Sequence, residues 1–190
     1  MAVAMQPEEP KRASEIDRAI LVRCKSGDPM AFRAFVVRYE KPVFALLSRM
    51  TGWGPHVEDL AQETFIRAYR AFPKFDVDAD ARPSTWLLTI ATRLALDSRK
   101  RKTPEPIEPD PIDPSTPETE RRRKELGRAI AKAADELPDD QRAAFLLAEF
   151  HDMSIAEIAR ALDVPENTAK TRLFRAREKM RAALEAWRES

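Results

Sequence analysis

The sequence predicts an all-α protein of two small helical domains joined by a proline-rich linker, and three observations carry this. Apolar residues recur at helical spacing along most of the 190 residues and nowhere alternate as in a strand. Glycine is scarce, at 4 residues. Between Thr103 and Glu118 prolines recur and every charge is acidic, a composition that neither packs a core nor forms a helix.

Taken in order, residues 1–13, with Pro7 and Pro10, read as a flexible tail. Ser14 and Asp17 make a capping-box-like start for a helix that ends at Gly27. Asp28-Pro29 starts a second helix carrying Phe32, Phe35, Val36 and Tyr39 at helical spacing, and Pro42 is expected to start a third that runs to about Met50. A fourth spans about Val57 to Phe72 and stops at Pro73, with Val57, Leu60, Ala61, Thr64, Phe65, Ala68 and Phe72 on its apolar face. After the acidic stretch Lys74 to Pro83, Ser84 is expected to cap a helix from Thr85 to about Arg101. A first domain thus covers 14–102, the linker 103–118, and a second domain 119–190. The second falls into four helical pieces, interrupted at Leu137-Pro138, His151-Asp152 and Asp163 to Pro165.

Composition excludes several classes. Basic and acidic residues nearly cancel, 33 against 32, so charge has meaning only segment by segment. Cys24 is the single cysteine, which rules out an internal disulfide and a cysteine-built zinc site. No apolar run approaches the roughly 20 residues that span a bilayer, so a soluble, cytoplasmic protein without membrane insertion is expected. His56 and His151 lie far apart, Cys24 has no base beside it, and no constellation of acids, bases or metal ligands suggests catalysis. No cofactor, metal or small-molecule substrate is expected.

The most specific local signal lies near the C-terminus. Ser154-Ile155-Ala156-Glu157 is a capping box, and Met153 can staple onto Ile158. Ile155, Ile158, Ala159 and Leu162 form the buried stripe of a short helix; Asp163 to Glu166 turns the chain, and Pro165 presets the start of the next. That helix buries Ala169, Leu173, Ala176 and Met180 and leaves Lys170, Thr171, Arg172, Phe174, Arg175 and Arg177 on its other surface. A helix apolar on one side and basic on the other, behind a packed support helix, suits the DNA major groove. A solvated helix in an ordinary bundle is the plainer alternative.

The residues Glu58-Asp59-Leu60-Ala61-Gln62-Glu63-Thr64-Phe65-Ile66-Arg67-Ala68-Tyr69 and Ser84-Thr85-Trp86-Leu87-Leu88-Thr89-Ile90-Ala91 resemble region 2 of sigma-70 family RNA polymerase sigma factors. The segment from Leu137-Pro138 through Arg177 resembles region 4. Both in this order, over residues 14–102 and 119–186 and split by a proline-rich linker, look like the extracytoplasmic-function (ECF) group. The resemblance implies a region 2 helical bundle and a region 4 helix-turn-helix, and a transcription initiation factor with core RNA polymerase and promoter DNA as partners. It further implies inhibition by an anti-sigma factor, and domains that can adopt a closed, inhibited and an open, polymerase-bound arrangement.

Residue by residue, the resemblance assigns core-polymerase binding to Asp59, Gln62, Glu63 and Ile66, which share a helix stripe. On physical grounds alone an acidic, solvated face near a helix N-terminus is the simpler account. It places the minus-10 promoter element against Phe75, Ser84, Thr85, Trp86, Arg93, Arg99, Lys100 and Arg101, with a flipped base held by the loop Phe75 to Thr85. The basic end of that helix has an equally good structural reading, offsetting the helix dipole, and Trp86 reads as core. The loop, with Asp76, Asp78 and Asp80, departs from the shorter loops expected and leaves the captured base open. The minus-35 element falls to Lys170, Thr171, Phe174 and Arg175 at the groove, with Arg172 and Arg177 on phosphates or intramolecular partners. The acidic linker resembles the segment that threads the polymerase cleft, though a passive spacer explains its composition as well. Two rivals stand beside this reading: a polymerase-independent DNA-binding regulator, which leaves Arg99 to Lys102 unexplained, and a nucleic-acid enzyme, for which no reactive constellation exists.

Overall fold

The computed structural model describes residues 15–78, 82–101 and 118–189, which form helices and turns only. The tail, the linker from 103 to 117 and the tip of the acidic loop lie outside the described residues.

Helix α1 (Arg18–Lys25) starts at Asp17, whose carboxylate accepts from the Ala19 N–H at 2.7 Å. Ser14, the other half of the expected capping-box-like start, lies outside the described residues. Helix α2 (Pro29–Thr51) is capped by Asp28, which accepts from Met30 and Ala31, and ends at Gly52 with φ of 83°, a left-handed conformation that glycine adopts without penalty. Pro42 does not start a third helix but sits inside α2. The reason is packing: Phe35, Tyr39, Val43, Leu46, Leu47 and Met50 are buried in one unbroken helical register across it. Their burial outweighs the hydrogen bond that a mid-helix proline forfeits.

Helix α3 (Pro55–Ala71) has Pro55 at its first position and passes into a short 3₁₀ turn, Phe72–Lys74. Gly54 before it cannot be replaced freely, since an added Cβ would stand 2.8 Å from His56 Nδ1, and the His56 ring folds back onto Thr51. Helix α4 (Pro83–Arg101) begins at Pro83, so Ser84 lies within its first turn instead of capping it. The Ser84 hydroxyl donates to Glu15 at 2.7 Å. An aromatic cluster locks these helices together: Phe72 stands 5.0 Å from Phe35 and 5.2 Å from Trp86, and Phe75 lies 4.7 Å from Trp86, all tilted or edge-on.

The remaining helices are α5 (Glu118–Asp135), α6 (Asp139–His151), α7 (Ile155–Leu162) and α8 (Glu166–Glu189), with breaks where the sequence places them. The Ser154/Glu157 capping box is formed, and Asp152 and Asp163 end α6 and α7 in left-handed conformations that aspartate tolerates. Ala169, Leu173, Ala176 and Met180 of α8 are buried as their spacing predicts.

The two helical groups pack against each other. One apolar cluster runs without interruption from Leu21 through Ala95 and on into Ala143 to Leu173. Arg142 lies at its edge with no exposed surface. The guanidinium donates to the carbonyls of Ala134 (2.8 Å), Asp135, Leu137 and, across the junction, Met50 (3.2 Å), and pairs with the Asp135 carboxylate. Replacing Arg142 by Ala would remove this set of donors, leave the Asp135 carboxylate without its cation and open a cavity, so a loss of about 3–5 kcal/mol is expected in denaturant unfolding, with Arg142→Lys a poor substitute because one ammonium cannot span the fork.

His151, at the end of α6, is a half-buried titratable group. Its Nε2 is buried without a hydrogen-bond partner, and burial, then the nearby Arg49 charge, hold its pKa down at about 4, with Asp152 opposing weakly. The unfolded chain therefore binds a proton below about pH 6.5 that the folded chain refuses until about 4, so stability is full above that window and falls as pH drops through it. Equilibrium unfolding should show up to about 3 kcal/mol lost across it, and His151→Gln should flatten this part of the pH profile.

Candidate nucleic-acid and polymerase interfaces

Three surfaces hold the residues singled out from the sequence. On α8, Lys170, Thr171, Phe174 and Arg175 are all exposed, and the Phe174 ring projects with 63% of its surface free, although it is a large apolar side chain. The Thr171 hydroxyl donates to the Asn167 carbonyl one turn earlier, at 2.8 Å. Arg172 and Arg177 are engaged elsewhere: Arg172 pairs with Asp140 at 2.8 Å and Arg177 with Glu149 at 2.7 Å, both on α6. Of the two roles open to these arginines, the structure puts them on intramolecular partners. The α8 surface thus divides into an exposed face and a flank tied to its support.

The α3 stripe is exposed at Asp59, Gln62 and Ile66, while Glu63 is half-buried and pairs with Arg67 at 2.6 Å. Tyr69, one further turn along, extends it; the residue is 44% exposed and its ring rests edge-on against Phe32 at 4.9 Å. The stripe is therefore acidic at its start and apolar at its end. The spacing of 59, 62, 66 and 69 could have revealed Tyr69, a continuation of the same helical face.

The α4 set is placed differently from a free nucleic-acid surface. Phe75 is buried and Trp86 is packed among Phe35, Phe72 and Phe75, so neither ring is presented for base stacking in this arrangement. Thr85, Arg93 and Arg99 face the second helical group. Thr85 donates to Glu157 at 3.0 Å; Arg93 donates to the carbonyls of Arg160 (2.8 Å) and Ala161 (3.3 Å) at the end of α7; Arg99 meets Asp139 at 2.5 Å and the Met50 carbonyl at 3.1 Å. Lys100 is exposed and stands 3.8 Å from Asp97, and the Arg101 side chain lies outside the described residues.

Arg82, and the second role of Glu157 beside its capping box, were not legible in the sequence. Arg82 donates to the Asp152 carbonyl at 3.0 Å and approaches Glu157 at 3.3 Å, so the capping-box carboxylate of α7 also receives two groups from the first domain. Burial pushes the Glu157 carboxyl up, but the hydrogen bonds from Ser154 and Thr85 and the Arg82 charge outweigh it and leave the pKa below the ordinary glutamate value. No sequence signal pairs Arg82 with Glu157, because the two stand 75 residues apart.

Among the described residues no group of three potential metal ligands converges, and no helix is long and apolar enough to cross a membrane.

Comparison with known proteins matches residues 35–105 to Sigma-70 region 2 and residues 127–180 to Sigma-70, region 4. The ECF RNA polymerase sigma-E factor of Escherichia coli K12 is 36% identical over 176 residues, covering 85% of this chain and 91% of that protein. The RNA polymerase sigma-H factor of Pseudomonas aeruginosa is 33% identical over 185 residues, covering 90% and 95%. Among solved structures, CnrH in complex with the cytosolic domain of CnrY superposes with a TM-score of 0.65 at 27% identity, covering 90% of this chain and 97% of that one. The sigma factor RpoE of Bartonella quintana, in complex with the anti-sigma factor NepR, gives 0.64 at 21% identity over 81% and 96%, a likeness of fold. With both sigma regions matched in order and relatives above 30% identity along nearly the whole chain, this protein belongs to the sigma-70 family of RNA polymerase sigma factors, in its extracytoplasmic-function group.

Proposed function

We propose that the chain acts in the cytosol as a promoter-specificity subunit: α3 docks on core RNA polymerase, α8 reads the minus-35 element, and α4 contacts the minus-10 element. The domain limits that go with this are a tail at 1–13, region 2 over 14–102, a linker at 103–118 and region 4 over 119–190. The chain supplies recognition and strand capture, and nucleotide chemistry belongs to the polymerase. The observation that supports this best is the α7–α8 helix-turn-helix, whose second helix leaves Lys170, Thr171, Phe174 and Arg175 exposed beside a packed, capped support helix. On α3, Asp59 and Gln62 offer a polar edge and Ile66 and Tyr69 an apolar one, a combination suited to a protein partner.

Transcription from a randomised promoter library by core polymerase, with and without the chain, tests this. Starts dependent on the chain should share two spaced elements. Asp59→Ala with Gln62→Ala should abolish them while leaving helical content and thermal unfolding unchanged; unchanged starts would remove α3 from the interface. Arg175→Ala should cost about 1–3 kcal/mol at one base of the upstream element if it reads guanine, or an equal loss on every sequence if it holds phosphate.

The packed arrangement bears on control. Thr85, Arg93 and Arg99 cannot serve region 4 and promoter DNA at once, so minus-10 engagement requires α6 and α7 to leave α4. Because CnrH is seen with the cytosolic domain of CnrY, an anti-sigma protein that holds this closed arrangement is the regulator we propose here. With Cys24→Ala and spin labels at Lys41→Cys and Glu178→Cys, both exposed, the free chain should give one short, narrow distance distribution. Core polymerase should lengthen and broaden it, and Arg82→Glu, which places a carboxylate against Glu157, should shift the free chain the same way. A distribution unmoved by polymerase would overturn the closed-to-open step.

A further inference from the structure

The α8 surface carries more sequence information than its basic residues account for. Arg172 and Arg177 spend their guanidinium groups on Asp140 and Glu149 of α6, so they are held away from the open face. That face does not begin at Lys170. Asn167, Lys170, Thr171 and Phe174 lie at i, i+3, i+4 and i+7, a single helical stripe that starts in the first turn of α8, and all four are exposed. Asn167 uses its carbonyl to accept from Thr171, while no described residue bonds its side-chain amide. In a groove-bound helix of this kind the N-terminal residues are the ones that meet base edges.

We propose that Asn167 is a further specificity-determining residue of the minus-35 contact, selecting adenine, and that Arg172 and Arg177 position α8 on α6 without reading bases. The proposal rests on the DNA-binding reading of α8 given above. The chemistry is a match of donors and acceptors. A carboxamide presents one N–H donor and one carbonyl acceptor side by side, and adenine alone offers N7 and the N6 amino group in the complementary order on the major-groove edge. Asn167 is uncharged, so it releases no counterions and contributes nothing to the salt dependence that Lys170 would supply at a phosphate. Its side chain is short, which suits the first turn of the helix, where the backbone itself comes closest to the groove.

The test uses the full chain assembled with core polymerase on promoter duplexes in which each base of the upstream element is changed in turn. The wild type should prefer adenine at one position by roughly five- to hundred-fold. Asn167→Ala should erase that preference and leave the other positions and the salt slope unchanged, and Asn167→Asp should move the preference toward cytosine, whose amino group a carboxylate accepts. Arg172→Ala should weaken every duplex by the same factor, with Arg172→Lys recovering part of the loss. An equal loss on all duplexes from Asn167→Ala, an unchanged profile, or an erased preference for a base other than adenine overturns the assignment. A base-specific loss from Arg172→Ala overturns the positioning role. If the wild type itself shows no preference at any upstream position, the DNA-binding reading of α8 falls, and this outcome is separate from the others.

Discussion

The main-chain carbonyl of Met50 is the point on which the two halves of this protein converge. It belongs to the last turn of α2, where no helical N–H remains to satisfy it. Arg99 from α4 and Arg142 from α6 both donate to it, at 3.1 and 3.2 Å. Two cations around one oxygen need negative partners close by, and Asp139 and Asp135 provide them. Burial, followed by the neighbouring Arg99 charge, lowers the Arg142 pKa, yet every one of its nitrogens has an acceptor, which is the condition under which a buried guanidinium is tolerated. The α2 end, the α4 end and the start of α6 are thereby fixed relative to one another.

With that node in place, α7 falls along α4. Arg93 completes the carbonyl end of α7, and Thr85 and Arg82 meet the carboxylate that caps its other end. Both termini of the support helix are thus satisfied partly by the other domain. In the closed-to-open step we propose, the exchange is one of hydrogen bonds between partners of similar strength, with phosphates offering the same arginines equivalent acceptors. Apolar contact in the shared cluster favours the packed arrangement.

Much of the fold was legible because its determinants are local. The Ser154-to-Glu157 box, the aspartate caps before α1 and α2, and the apolar stripes of α3 and α8 depend on neighbours within a turn or two. Pro42 misled for the opposite reason. Its local meaning is a helix start, and only the burial of Phe35 through Met50 on both sides of it keeps α2 continuous. Ser84 misled similarly, because Pro83 one residue earlier takes the first helical position.

The family and the division into two helical units could be read from the sequence alone, since both rest on motif order, periodicity and the proline-rich break. It also marked α8 as the helix with an unburied basic face, because which residues are buried on a helix follows from spacing. Which of those basic residues remain free was decided by tertiary structure. Arg172 and Arg177 find acids on α6, and Arg93 and Arg99 find carbonyls and a carboxylate across the domain junction, through partners that no short-range pattern can pair. A charge is local to its residue, but its availability depends on what the fold brings within about 3 Å of it.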